Sequence, residues 1–250
     1  MTPDEYLRAI ESTSKTMADA LDANRAAPIP WCGEWKVEDV VHHVGALQHV
    51  IAGVIAGRPT ANFGLFKTLH PPKADDPALG AWFREGTATL LERFRATPFT
   101  DPVWTFTPET PTVEFWARRC AHETFVHGWD AARAAGIDPP QLELAMISDG
   151  IDEYLDLFTS MMRGGAGSPG AGETAHVHCT DTAGEWLIAF PEPGARVLTR
   201  EHAKGDVAFR GPAEGLLLFF WGRLSPEAAG VEIVGDAALA ARWFELVPSV

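Results

Sequence analysis

In the opening stretch PDEYLRAIESTSKTMADALDA, the residues Tyr6, Leu7, Ile10, Met17 and Leu21 fall at helical spacing, with the small Ser14 filling the turn between them. A proline suits the first turn of a helix, where its missing N–H costs nothing, so the pattern predicts an amphipathic helix from the start. After NRAAPIPWCGEW, a turn with Pro and Gly, the run KVEDVVHHVGALQHVIAGVIAG carries a second long apolar stripe that ends at a glycine. Residues 57–76 read as loop. DPALGAWFREGTATLLERFRAT, opened by an Asp-Pro cap, predicts a third helix. A fourth spans roughly Val113 to Ala135 and is stopped by GIDPP; a fifth, LELAMISDGIDEYLDLFTSMM, follows it.

The texture then changes. RGGAGSPGAG, residues 163–172, holds no apolar side chain larger than Ala or Pro and reads as a flexible linker. Beyond it, TAHVHCTDTAGEWLIAFP, GARVLTRE and DVAFRG are short strand-like runs separated by turns, and PAEGLLLFFWGR is an apolar helix. The expectation is a two-domain α+β protein: an up-down four-helix bundle with an extra helix over residues 1–163, a linker at 164–172, and a small α+β domain over 173–250. There are no internal repeats.

Charge narrows the partners. With 20 Lys+Arg against 34 Asp+Glu the net charge is −14, and no basic run interrupts the acidic background, which argues against nucleic acid or an anionic membrane as partner. No apolar run reaches the roughly 20 residues needed to cross a bilayer, and MTPDEYLRAI lacks a basic start followed by an apolar core, so the reading is a soluble cytoplasmic protein, monomer or homodimer. Three cysteines, Cys32, Cys120 and Cys179, are odd in number and never form a CxxC pair; they read as reduced thiols.

Candidate chemistry centres on HETFVHGWD, residues 122–130. The zinc-protease motif needs histidines four apart, whereas His122 and His127 are five apart and lie about 140° around a helix from each other. Shifting the frame by one puts Glu123 and His127 four apart, about 40° around and one turn along, which suits two ligands of one ion. A third ligand must come from a neighbouring helix. The second helix offers His42, His43 and His49; the stripe Val40, His43, Leu47, Val50 turns His43 toward the side where the fourth helix should pack, with His42 and His49 facing elsewhere. A His, Glu, His set leaves a fourth position open, the pattern of a catalytic zinc. Affinity for such an ion should fall as the histidines protonate in mild acid. Asp130 lies on the Glu123 stripe, where it would either orient a ligand histidine or solvate the helix end. Cys120, also on that stripe, reads as a small buried residue, and Trp31, Trp35, Trp116 and Trp129 would either line a pocket or fill the core.

WKVEDVVHHV together with RRCAHETFVHGWDA resembles the maleylpyruvate isomerase N-terminal family, and HVHCTDTAGEWLI, GPAEGLLLFFWGR and VEIVGD resemble the C-terminal domain of the mycothiol-dependent maleylpyruvate isomerases, so the likeness covers nearly the whole chain. The resemblance implies a DinB-like bundle and a divalent metal, Zn2+ in the first instance, on His43, Glu123 and His127. It implies mycothiol as thiol cosubstrate: its sulfur adds to a conjugated cis double bond, the resulting single bond rotates, and elimination returns the trans isomer. Some relatives transfer a small thiol instead. The resemblance also places Arg223, which ends the run LLLFFWGR, at the metal site as a fork for a substrate carboxylate; the residue-level alternative is a cation at a helix C-terminus. No glycine-rich dinucleotide or phosphate loop is present, since GAGSPGAG follows no strand and precedes no GK[ST]. Two rival functions stand beside the thiol enzyme: a thiol-independent zinc hydrolase, and a non-catalytic protein that binds a metal or ligand.

Overall fold

Helix α1, Pro3–Asn24, buries Tyr6, Leu7, Ile10, Ser14, Met17 and Leu21, the stripe its spacing predicts. Thr2 and Glu5 close a capping box at its start, satisfying backbone N–H groups that the first turn leaves without helical partners. The computed structural model to which this helix belongs describes residues 1–58, 60–107, 111–158, 172–192 and 195–246. The chain divides into two units, Met1–Gln141 and Leu142–Val250.

In the first unit, α2 (Val37–Ala56), α3 (Leu79–Arg95) and α4 (Val113–Ala135) complete a four-helix bundle, in which α1 packs on α4 and α3, and α2 on α3 and α4. A buried polar relay sets the register of three of these helices: Gln48 donates to the Ser14 hydroxyl at 3.0 Å and accepts from the Thr87 hydroxyl at 2.8 Å. Ser14 therefore does more than fill a turn. At the α2–α3 crossing, a Cβ on Gly86 would stand 2.7 Å from the His49 ring, so only glycine lets the helices approach this closely. Helix α4 ends where Gly136 turns left-handed at φ +75°, and the N–H groups of Gly136 and Ile137 both return to the Ala132 carbonyl. The expected loop between α2 and α3 contains a 3-10 turn at Phe63–Lys67, whose Phe63 ring sits 4.8 Å from Trp104 and 5.5 Å from Trp116.

Against the expectation that no segment is long and apolar enough for a bilayer, α2 is 20 residues long and by composition apolar enough to cross a membrane. Its apolar residues, Val37, Val40, Val41, Val44, Ile51, Val54 and Ile55 among them, are instead buried in the bundle core.

The second unit starts earlier than the glycine-rich segment. Helix α5, Leu144–Glu153, continued by a π-helical turn at Tyr154–Phe158, is the extra helix that the sequence assigns to residues 1–163, and it is grouped with the C-terminal unit. It packs against α6, Ala213–Phe220. The reasons are specific. Tyr154 stacks on Phe220 at 5.4 Å, Asp152 accepts from Trp186 Nε1 at 2.9 Å, and the same carboxylate receives Arg200. The linker expected at 164–172 lies, apart from Gly172, outside the described residues.

A mixed sheet in the order β3-β2-β1-β4-β5 follows, formed by β1 (Glu173–Cys179), β2 (Glu185–Phe190), β3 (Val197–Thr199), β4 (Val207–Gly211) and β5 (Glu232–Gly235). Strands β1 and β2 form an antiparallel hairpin, while β1 and β4 run parallel. Val177, Cys179, Trp186, Ile188, Val207 and Phe209 are buried, and Phe209 meets Phe220 and Trp243. Short helices α7 (Pro226–Ala229), α8 (Ala237–Ala241) and α9 (Trp243–Leu246) complete this unit. The two-part α+β architecture is as the hydrophobic pattern predicts.

Candidate metal centre

The stripe of α4 that carries Glu123 and His127 meets α2 at His43. His43 Nε2 lies 3.0 Å from Glu123 Oε1, and His127 Nε2 lies 3.3 Å from the same oxygen. All three ligand atoms fall within 4.8 Å of one another. The edge of a tetrahedron with metal–ligand distances of about 2.1 Å is about 3.4 Å, so small adjustments would let an ion sit among these atoms. The residues singled out from the sequence are thus brought together, and the frame that joins Glu123 to His127 is the one whose side chains converge.

The others point away as their positions demand. His122 is buried with its ring edge-on to Tyr6 of α1, at 6.2 Å. His49 stacks on Trp82 of α3 at 4.6 Å, with its Nε2 3.1 Å from the Trp82 carbonyl, and His42 stacks on the same indole at 5.8 Å. Cys120 is buried and does not belong to the converging donors.

Two features support the donors from behind. Asp130, one turn after His127 and fully buried, has Oδ2 3.0 Å from His127 Nδ1 and accepts at Oδ1 from Trp31 Nε1 at 2.5 Å. Once the ring is neutral, an Nδ1–H held by this carboxylate would fix the tautomer whose Nε2 lone pair is free for an ion between Glu123 and His43. Arg119, buried one turn before Glu123, pairs with Glu123 Oε2 and leaves Oε1 to the histidines. Spacing alone held a signal for this arginine, since Arg119, Glu123 and His127 succeed one another at intervals of four.

The loop between α1 and α2 folds over the site. Ile29 N–H donates to the Trp35 carbonyl at 2.8 Å, and Pro28 bridges to Lys36, so Trp31, Cys32 and Trp35 are presented together. The Trp35 ring lies 5.3 Å from His43 and 6.4 Å from His127 and is partly exposed, making it the aromatic wall of the centre. Trp129 packs on Trp31 at 5.2 Å, and Trp116 is buried among Phe63, Trp104, Phe106 and Phe115. Of the four tryptophans, Trp35 is the one whose ring faces the two histidines.

Electrostatics fits a cation. Burial disfavours the charge of Glu123, but the Arg119 guanidinium and the hydrogen bonds from His127 and His43 outweigh it and hold the carboxyl well below the usual carboxylate range. For His127, burial opposes protonation, yet the hydrogen bonds to Asp130 and Glu123 prevail and raise it from 6.5 to about 9. Two imidazole nitrogens and one carboxylate oxygen, with a buried second carboxylate behind, form a donor set suited to zinc or a similar divalent ion.

Arg223 lies in the second unit, just after α6, where its Nη1 donates to the Trp221 carbonyl at 2.6 Å. That contact is the one a helix-end cation makes.

Residues 6–132 match the family described as the mycothiol maleylpyruvate isomerase N-terminal domain, and residues 148–242 match the MDMPI C-terminal domain. Among solved structures, the chain is similar to a mycothiol-dependent maleylpyruvate isomerase at a TM-score of 0.59 and 17% identity, and to a histidine-to-alanine mutant of such an isomerase at 0.61 and 14%. Each likeness covers 95% of both chains, and at these identities it speaks for the fold. No curated protein sequence matches. The two matched domains together span most of the sequence: the chain belongs to the mycothiol-dependent maleylpyruvate isomerase family.

Proposed function

We propose that the chain is a zinc enzyme that uses a low-molecular-weight thiol, mycothiol, as nucleophile toward a small electrophilic substrate, by cis-trans isomerisation as in the related isomerases or by thiol transfer. The observation that carries this reading is the convergence of His43 Nε2, Glu123 Oε1 and His127 Nε2, three protein donors that leave room for one exogenous ligand. A divalent ion there would supply Lewis acidity, keeping a coordinated thiol deprotonated at neutral pH although its free value is about 8.5.

The protein's own part is orientation and charge. Asp130 holds the His127 ring, and Arg119 restrains Glu123. With both histidines neutral, the charges of Glu123 and Asp130 exceed that of Arg119 by one, so a divalent ion leaves a single positive charge. A thiolate brings that to neutrality in a poorly solvated place, whereas a neutral ligand does not. The protein's thiols are less suited to the role: burial pushes Cys179 up to about 11, so it stays protonated at neutral pH, and Cys32 Sγ points at the Asp130 carboxylate at 3.7 Å. The expected setting is the cytoplasm, where such a thiol stays reduced.

Turnover of cis-configured conjugated acids and of thiol-reactive electrophiles should require added mycothiol and vanish after chelation, returning with zinc. Undiminished turnover in thiol-free buffer would reject the reading and favour zinc-activated water.

Arg223 is proposed as the fork for a substrate carboxylate, offsetting the acidic surface that repels an anionic acid. Arg223→Lys keeps the charge and loses the fork, so kcat/KM should fall about tenfold or more, roughly 1.4 kcal/mol, with zinc content and melting temperature unchanged. An equally active Lys variant, or one that only melts earlier, would leave Arg223 as a cap on the Trp221 carbonyl.

A further inference from the structure

On the face of the sheet opposite Val177, Trp186 and Ile188, the hairpin gathers a second set of donors. Strand alternation places His176 and His178 on one face, and the register sets Glu185 of β2 directly across from His178. His176 Nε2 and His178 Nδ1 each lie 3.0 Å from Glu185 Oε1, and these three ligand atoms are within 4.8 Å of one another. A third imidazole arrives from the segment between β3 and β4, with His202 Nδ1 2.5 Å from the same oxygen.

We propose that His176, His178 and Glu185 form a second metal site, independent of the bundle centre, for a borderline divalent ion of the zinc type.

Hydrogen bonding alone accounts poorly for this arrangement. One carboxylate oxygen has two lone pairs, yet three ring nitrogens aim at Glu185 Oε1. Each neutral imidazole has one N–H to donate, so no ring needs a charge, but three donors on one oxygen exceed its two lone pairs, with the rings of His176 and His202 only 5.3 Å apart. Coordination relieves that crowding, because each neutral imidazole then offers a lone pair to the ion and the oxygen no longer has to satisfy every ring. The 3.0 Å separations are close to the roughly 3.4 Å edge of a zinc tetrahedron.

The degree of enclosure suggests the ion's role. His176 is nearly buried and Glu185 largely so, on strands whose backbone pairing fixes their spacing, while His202 is 79% exposed on a connecting segment. Three protein ligands leave the fourth position of a tetrahedron to water or, after a movement of its segment, to His202, which as it stands meets Glu185 from outside the converging set. Ligand type agrees: imidazole and carboxylate favour zinc over calcium or magnesium, which prefer all-oxygen sets.

The test is a zinc titration of the chelator-stripped full chain by calorimetry, with far-UV circular dichroism on every variant. Two binding events are expected. His127→Ala should remove one of them, and His178→Ala and Glu185→Gln should each weaken the other about tenfold or more while leaving the first intact. Glu185→Gln is nearly isosteric and keeps the hairpin folded should His178→Ala not. Cobalt added to His127→Ala should give the visible absorption of a tetrahedral nitrogen and oxygen site. A single event abolished by His127→Ala, or a second event indifferent to both sheet variants, would overturn the proposal and leave a hydrogen-bonded histidine cluster.

Discussion

Replacing His127 with alanine is expected to empty the bundle centre, from about one zinc per chain to near zero, while His122→Ala leaves it loaded. The contrast follows from five residues of one helix. His127 Nε2 is 3.3 Å from Glu123 Oε1 and belongs to the converging set, whereas His122 lies edge-on to Tyr6 on the α1 side. Loss of the buried His122 ring should cost roughly 1–3 kcal/mol of stability through the cavity it leaves, and so lower the melting temperature without touching the metal. Zinc is best counted by mass spectrometry in a Glu185→Gln background, so that the sheet cluster does not contribute. Metal lost with His122 and retained without His127 would refute the assignment of the ligand frame.

That frame was legible because a helix converts spacing into direction. A separation of four from Glu123 to His127 means one face, and the apolar company of His43 on α2 says which neighbour that face meets. Periodicity likewise placed α1 to α4. It said nothing of what supports the centre from a distance: Trp31 and Cys32 reach Asp130 across nearly a hundred residues, through a loop whose course depends on the pairing of Pro28 with Lys36. Here the structure chooses between the two readings open for Asp130, since a fully buried carboxylate between His127 and Trp31 is not solvating a helix end.

Helix α5 shows a different limit. Its apolar face was plain, but an apolar face does not name the core that receives it, and the polar contacts that tie α5 to the second unit, Asp152 with Trp186 and Arg200, come from residues 34 and 48 positions away. The sheet cluster was half legible. HVH in a strand puts both imidazoles on one side, but the partnership with Glu185 requires the hairpin register.

Asp130→Asn is expected to weaken zinc binding at the bundle by an amount that depends on pH. In the wild type, Asp130 and Glu123 hold a proton on metal-free His127 up to about pH 9, well above the ordinary 6.5. At His127 competition between proton and metal therefore starts near pH 9, above the mild acid expected for an unperturbed histidine. The sign for stability is also set. A folded value raised above the unfolded one means that the His127 proton stabilises the metal-free fold fully below about 6.5, and that this contribution is lost as pH rises toward 9. In Asp130→Asn the ring loses one anionic partner, so the decline in metal-free stability between pH 6.5 and 9 should shrink. Near pH 9, where the wild type has little proton left to displace, the variant lacks the carboxylate that orients the ring and raises its basicity, and its zinc affinity should be about 10–100-fold lower. Toward pH 6.5 the gap should narrow, because only the wild type must expel a tightly held proton for each ion it binds. Calorimetry in buffers of differing ionisation heat reads this directly: near pH 7.5 the wild type should release close to one proton per zinc from His127, and the variant distinctly less. An affinity loss of equal size at every pH would reduce Asp130 to a packing residue beneath His127, and no loss at all would remove it from the centre.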